Sequence, residues 1–343
     1  MNARRAVLPS ALHDALAEVG AKLERGDGIG SELETALDLL ASVSPAQITR
    51  AEAEIVAAAN LDRWAPPPSL ETQLFRPTDH KQLLRTPKLK YLFLFHRNGH
   101  LREVALMKLS EGLPNPFLFA AVAWRLNDWA KPVRQAAARC ARRCFPLTRP
   151  EVVARAAVAL LVQQTSWRRW GEERRLLDQA FARTGVAEHL FDMLTRNVTG
   201  PMPSVLRHAL RMPALDPYLK PIAHEAVQPQ VRAVALDTSI QGRSEWPSDY
   251  SWQWVDNSLG SGHWVTTFDH RTLTVAVARN ELIALGVRDR SAAVRRVALD
   301  GVMRHLLGTP EGREYAALLA ADCSSSVRER AEFVLRDERH GPS

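Results

Sequence analysis

The sequence predicts an all-α protein: an α-solenoid of stacked helical hairpins, preceded by an N-terminal helical section and interrupted by one Trp-rich insertion. Three observations predict this. First, a short word (apolar, Arg, any, any, Ala) recurs at Leu101-Arg102 with Ala105, Val133-Arg134 with Ala137, Val231-Arg232 with Ala235, Val294-Arg295 with Ala298, and Val327-Arg328 with Ala331. Second, successive Arg residues of these words lie 32, 98, 63 and 33 residues apart. Such gaps read as one, three, two and one units of about 33 residues. Third, an Asp stands six residues before the Arg in three copies: Asp128, Asp289 and Asp322.

Along the chain, residues 1–65 form the N-terminal section, a candidate cap for the array. Leu8 to Leu23 and Ser31 to Leu40 carry helical periodicity, broken by Gly26-Asp-Gly-Ile-Gly30. Ser44-Pro45 opens a third helix to about Ala59, with Pro in its first turn. Pro66-Pro67-Pro68 cannot continue a helix and marks a boundary. Repeats are expected over 69–238 and 271–339, flanking an insertion at 239–270. Apolar helices run upstream of the words, from Phe117 to Trp124 and from Leu273 to Leu285. Two degenerate units are expected near Trp167-Arg168 and Leu206-Arg207, neither of which keeps the Ala.

Each part of the word has a physical use. The apolar residue and the Ala are four apart, so they share one helix face, and the small Ala lets a neighbouring helix approach. The Asp falls in the turn before the helix, where a carboxylate caps exposed N–H groups. The Arg, beside the packed face, can reach the Asp of an adjacent turn. Asp128, Arg134, Asp289, Arg295, Asp322 and Arg328 are thereby candidates for a structural ladder. The word resembles the second-helix signature of HEAT repeats, the armadillo-like helical class, over roughly residues 90–340. That resemblance implies a stack exposing long faces to large partners.

Composition excludes several classes. The chain has 343 residues, 46% hydrophobic and 24% charged, which is globular composition with enough length for a core. Three cysteines, Cys140, Cys144 and Cys323, do not make a disulfide framework and suggest a reducing compartment, the bacterial cytoplasm. No apolar run approaches a membrane span, and the first residues make a poor signal peptide. Net charge is +7, unevenly placed: residues 61–150 carry 16 basic and 6 acidic side chains, whereas residues 213–270 carry 3 and 7. A basic block of this kind attracts phosphate backbones or acidic partners. Within it, Arg139, Arg142 and Arg143 form a compact patch freer than Arg134 to face a partner. Trp167, Arg168, Arg169 and Trp170 interleave aromatics with charge, as stacking surfaces and packed helices both do.

The insertion holds Trp246, Trp252, Trp254 and Trp264, with Tyr250 and Phe268. Its expected form is an Ω-like loop packed on the scaffold by its tryptophans, the alternative being a recognition element. Trp246, Trp252 and Trp254 join the three arginines as candidate partner-binding residues. Trp252-Gln-Trp-Val-Asp256 would place an aromatic and a carboxylate on one face if helical. That segment resembles the Trp-and-Asp segment of alkylpurine DNA glycosylases built from HEAT-like repeats. The resemblance implies Trp252 and Asp256 at a cationic lesion, with Arg295 on the DNA. Elsewhere, Cys140 and Cys144 read as buried structural thiols. Asn98-Gly99 between His96 and His100 is a turn signal that excludes a helical metal pair. No metal or cofactor is expected, and HExxH, GxSxG, Walker A and GxGxxG motifs are absent from the sequence. The expectation is a non-catalytic scaffold for a protein partner, with nucleic-acid binding as the alternative and glycosylase chemistry as its boldest form.

Overall fold

A computed structural model of the chain describes residues 6–62, 79–256, 258 and 260–337. The boundary expected at Pro66-Pro67-Pro68 lies outside them. The chain divides into two compact units, Met1–Val186 and Ala187–Ser343.

The first unit begins with α1 (Ser10–Arg25), α2 (Gly30–Leu40) and α3 (Ile48–Ala58). Leu12, Leu16, Val19 and Leu23 recur at helical spacing, so α1 buries one stripe against α2 and α3. Gly26, at φ 80°, closes α1 in the left-handed region that glycine tolerates. Ser44 accepts the Ala46 N–H, and a 3₁₀ turn, Pro45–Gln47, leads into α3. Two short helices follow, α4 (Asp79–Arg85) and α5 (Leu89–Leu92). The hairpin helices are α6 (Gly99–Lys108), α7 (Pro116–Arg125), α8 (Lys131–Cys144), α9 (Pro150–Gln163) and α10 (Arg174–Phe181). Helix α7 is apolar nearly all round and is buried against α3, α8 and α9. Helix α8 packs on α6 and α10 through Val133, Ala136, Ala137 and Cys140. Trp167-Arg168 is not on a second helix as expected. It lies in the link between a 3₁₀ turn, Gln164–Ser166, and α10. The helix waits until Arg174, beyond Gly171.

Helix α11 (Thr184–Arg196) spans the division. The second unit continues with α12 (Met202–Ala209), α13 (Leu219–Glu225) and α14 (Pro229–Gln241). Leu206-Arg207 lies on α12. After the insertion come α15 (Arg279–Val287), α16 (Ala292–His305), α17 (Pro310–Leu319) and α18 (Ser325–Asp337). The word-bearing helices stack in order: α14 packs on α16, and α16 on α18. Val231, Val294 and Val327, with Ala235, Ala298 and Ala331, are buried in these contacts.

The described residues are predominantly helical, as the all-α class predicts, and the one exception is the insertion. The insertion is an antiparallel β-hairpin of β1 (Arg243–Asp256) and β2 (Ser261–Thr272), neither a loop nor a helix. Its aromatic and β-branched residues alternate with polar ones, and period two suits a strand. Gly242, at φ 69°, ends α14 and turns the chain into β1, while the Leu273 N–H bonds the Gly242 carbonyl to close the base. At the base Arg271 forks onto the buried Asp216 carboxylate at 2.6 and 2.9 Å and donates to the Leu210 and Met212 carbonyls.

The hairpin also corrects the repeat count. Arg232 pairs directly with Asp289, 57 residues on; setting aside the 30 residues of 243–272 leaves 27. The other such pairs are 26 and 27 residues apart. The 63-residue gap is therefore one unit plus an insertion nearly as long as a unit.

Candidate functional site

The Asp–Arg pairs form a repeated geometry. Arg102, Arg232 and Arg295 each fork onto a carboxylate, that of Asp128, Asp289 and Asp322 respectively, at 2.6–3.0 Å. The remaining nitrogen of each donates to the carbonyl six residues before it: His96, Ala226 and Asp289. Arg134 and Arg328 make the same backward bond, to the Asp128 and Asp322 carbonyls, and fork onto no described carboxylate. Each Asp also accepts the N–H two residues on, at Ala130, Ser291 and Ser324, which fixes the turn that enters the next helix. The Arg295 hydrogen bonds hold the Asp322 carboxyl down at about 2. Burial pushes Asp289 up, and the Arg232 bonds more than offset it, leaving it below the ordinary carboxylate range.

This geometry removes Arg295 from the DNA-facing role that the glycosylase resemblance implies, because its guanidinium is committed to Asp322. The same resemblance needs Trp252 and Asp256 on a helix, and both lie on β1. The Asp256 backbone pairs with Ser261 beyond an irregularity in the ladder; its side chain lies outside the described residues. Arg139, Arg142 and Arg143 are all exposed, as the patch reading requires. Arg143 also donates to the Leu106 and Leu109 carbonyls and so caps the C-terminus of α6.

Two surfaces remain with recognition chemistry. One is a face of the hairpin. Trp252 pairs with Trp264 across the ladder, Tyr250 with Thr266 and Trp254 with Gly262. By the period-two rule, Tyr250, Trp252, Trp254, Trp264 and Phe268 share one face. All five are exposed, Trp254 at 58% and Trp264 at 66%. Trp252 meets Trp254 and Trp264 edge-on at 5.6 and 5.4 Å. Its indole lies over Gly262, where a Cβ would stand 2.6 Å from the ring. The tryptophans thus make an outward platform, contrary to the expectation that they tuck the insertion onto the scaffold. Trp246, near the base, is half-buried and belongs to the opposite face. Of this face, sequence reasoning picks out Trp252 and Trp254 but not Tyr250, Trp264 and Phe268, although their alternation is visible in the sequence.

The second surface is a cleft of about 450 Å³ in the first unit, and it takes in Arg169 of the Trp167–Trp170 cluster. It lies where α3 meets the turns before α6, α8 and α10. Glu52 of α3 accepts the Trp124 indole N–H at 2.7 Å and an Arg125 N–H. Arg125 also donates to Asp128, whose carboxylate is 1% exposed and holds Arg102. Arg97, Trp129 and Arg169 complete the lining, and Trp129 is 71% exposed. A smaller cavity of about 270 Å³ shares Trp124, Asn127 and Arg169 and adds Trp167 and Arg168. Trp124, Trp167 and Trp170 form a chain of indoles with 5.3 and 4.8 Å separations.

Cys140 and Cys144 are buried with sulfurs 3.7 Å apart, and their mutual hydrogen bond, with burial, pushes the Cys140 thiol up. His96 is buried, bonded to the Asn98 N–H and 3.4 Å from Asp79, while Asn98 caps α6. Among the described residues no group of three or more His, Cys, Asp or Glu side chains could hold a metal. No helix among them is long and apolar enough to cross a membrane. No protein-family model matches this chain, and no curated protein matches it either.

Proposed function

We propose that this protein is a non-catalytic binding scaffold of the bacterial cytoplasm, an α-solenoid of HEAT-like hairpins that holds a protein partner on the aromatic face of its β-hairpin. The recurring Arg–Asp fork supports the solenoid reading, since the same bond joins successive hairpins at near-constant spacing. One observation carries the binding reading: five large aromatic side chains stand exposed on one face of a hairpin anchored at its base. Rigid aromatics with few rotatable bonds give contact area at low entropic cost, and contiguous exposed apolar surface marks interaction sites. Charge selects the partner class. Residues 243–272 carry two basic and four acidic side chains, so a phosphate backbone is repelled there while a protein with a basic rim is not.

The experiment is affinity purification of the tagged chain from its native host, with mass spectrometry and a nuclease-treated control. The comparison is a variant with Trp252, Trp254 and Trp264 replaced by Ser. A specific protein recovered by wild type, resistant to nuclease and lost in the variant, is the expected result. Recovery of nuclease-sensitive nucleic acid alone, or of the same proteins by both chains, would refute the proposal.

A further inference from the structure

The cleft of the first unit has chemistry that the hairpin lacks. Its inner charges are matched: Arg102 and Arg125 face Asp128 and Glu52 within hydrogen-bond distance. Its outer charges are not. Arg97 and Arg169 are exposed and make no ion pair with a described carboxylate. The matched inner pairs therefore leave a net positive rim. Arg97 belongs to the 61–150 block, which carries 16 basic and 6 acidic side chains and draws polyanions toward it, and Arg169 adds a further positive charge from outside that block.

Two indoles line the cleft, and one of them is held in place. The Trp124 indole is fixed by its bond to Glu52 and by edge-on contact with Trp167. Fixing the ring in advance lowers the entropic cost of stacking a ligand on it. Trp129 adds a second, open indole. A ligand that satisfies both features has a planar ring and a compact anion. Guanidinium forks match phosphate oxygens, and indoles stack on bases regardless of their identity. An acidic peptide would use the arginines and leave the indoles without a counterpart. About 450 Å³ accommodates one nucleotide-sized molecule.

We propose that this cleft binds a nucleotide, with the base against Trp124 and Trp129 and the phosphate on Arg97 and Arg169. The nucleotide arrives free or as one unit of a single strand. The carboxylate of Asp128 takes no part in chemistry there, because its oxygens already accept bonds from two guanidiniums and the Ala130 N–H.

The test uses the full chain at low salt, titrated by calorimetry with AMP, UMP, a short oligothymidylate and inorganic phosphate. Saturable binding of a mononucleotide is expected if free nucleotides are the source. Saturable binding of the oligothymidylate alone assigns the source to a nucleic-acid strand. In either case Trp129→Ala should weaken binding about tenfold, within the worth of one stacked base. The double variant Arg97→Gln with Arg169→Gln should weaken it at least as much and flatten its salt dependence. All three positions are exposed, so an unchanged unfolding midpoint should confirm that the variants fold. Absence of saturable binding of every nucleotide probe at about 1 mM, the weak end of measurable affinity, would overturn the proposal. Inorganic phosphate binding as tightly as the nucleotides, or variants binding as well as wild type, would overturn it too.

Discussion

Replacing Arg232 with Met should cost about 4 kcal/mol, while the same change at Arg134 should cost about 1 kcal/mol. The two residues occupy the same position of the repeated word and make the same backward bond, to the Ala226 and Asp128 carbonyls respectively. Only Arg232 also forks onto a carboxylate, with both nitrogens 2.8 Å from Asp289, and it is 2% exposed. Removing it strands a largely buried carboxylate, and breaking a buried pair from one side costs roughly 3–5 kcal/mol. Removing Arg134 forfeits hydrogen bonds to carbonyls that water can partly replace, at about 1 kcal/mol. Met conserves the length of the side chain and limits the cavity. Urea unfolding followed by circular dichroism reads both values, provided the m-values stay constant. A double-mutant cycle with Asp289→Asn isolates the pair and should give a coupling of at least about 1.5 kcal/mol. Equal losses at the two positions, or no coupling, would refute the assignment of Arg232 and Asp289 as neighbouring units of one ladder.

Three further outcomes are expected. Asp322 is held at about 2 by Arg295. A carboxyl depressed on folding adds stability above its unfolded value, roughly 4, and loses that contribution as pH falls from there toward about 2; thermal melts of Asp322→Asn across that window should be flatter than those of wild type. Gly286→Ala places a Cβ 2.5 Å from Leu236 and 2.9 Å from Ala298; it should destabilise by about 1–3 kcal/mol in chemical unfolding, through overpacking that outweighs the helix propensity gained. Arg143→Ala should lower stability by about 1 kcal/mol in the same assay, because it uncaps α6, whereas Arg139→Ala should leave stability unchanged.

Local rules made part of this protein legible in its sequence. The apolar residue and Ala of each word sit four apart, and the Asp bonds the N–H two residues on in the turn before the helix; both relations lie within one or two helical turns. Sequence alone could therefore determine that Val133, Val231, Val294 and Val327 face a core, as their burial shows. It could also determine that Asp128, Asp289 and Asp322 stand in turns. The order of the hairpins was less secure, because an insertion of 30 residues has nearly the length of a repeat. Only the bond between Arg232 and Asp289 distinguishes one unit with an insertion from two units.

The β-hairpin lay within reach of sequence reasoning, since Tyr250, Trp252 and Trp254 alternate with polar residues. Whether those rings point to the scaffold or to solvent was not, because alternation assigns a common face without saying what covers it. The cleft was decided by tertiary structure alone. Glu52 and Trp124 are 72 residues apart, and Asn127 and Arg169 are 42 apart, joined where α3 packs on α7 and where turns of successive hairpins meet. Sequence periodicity records which residues turn inward on their own helix. It carries no term for which distant turns close around the same space, and that closure is what gathers separate arginines and tryptophans around one cleft.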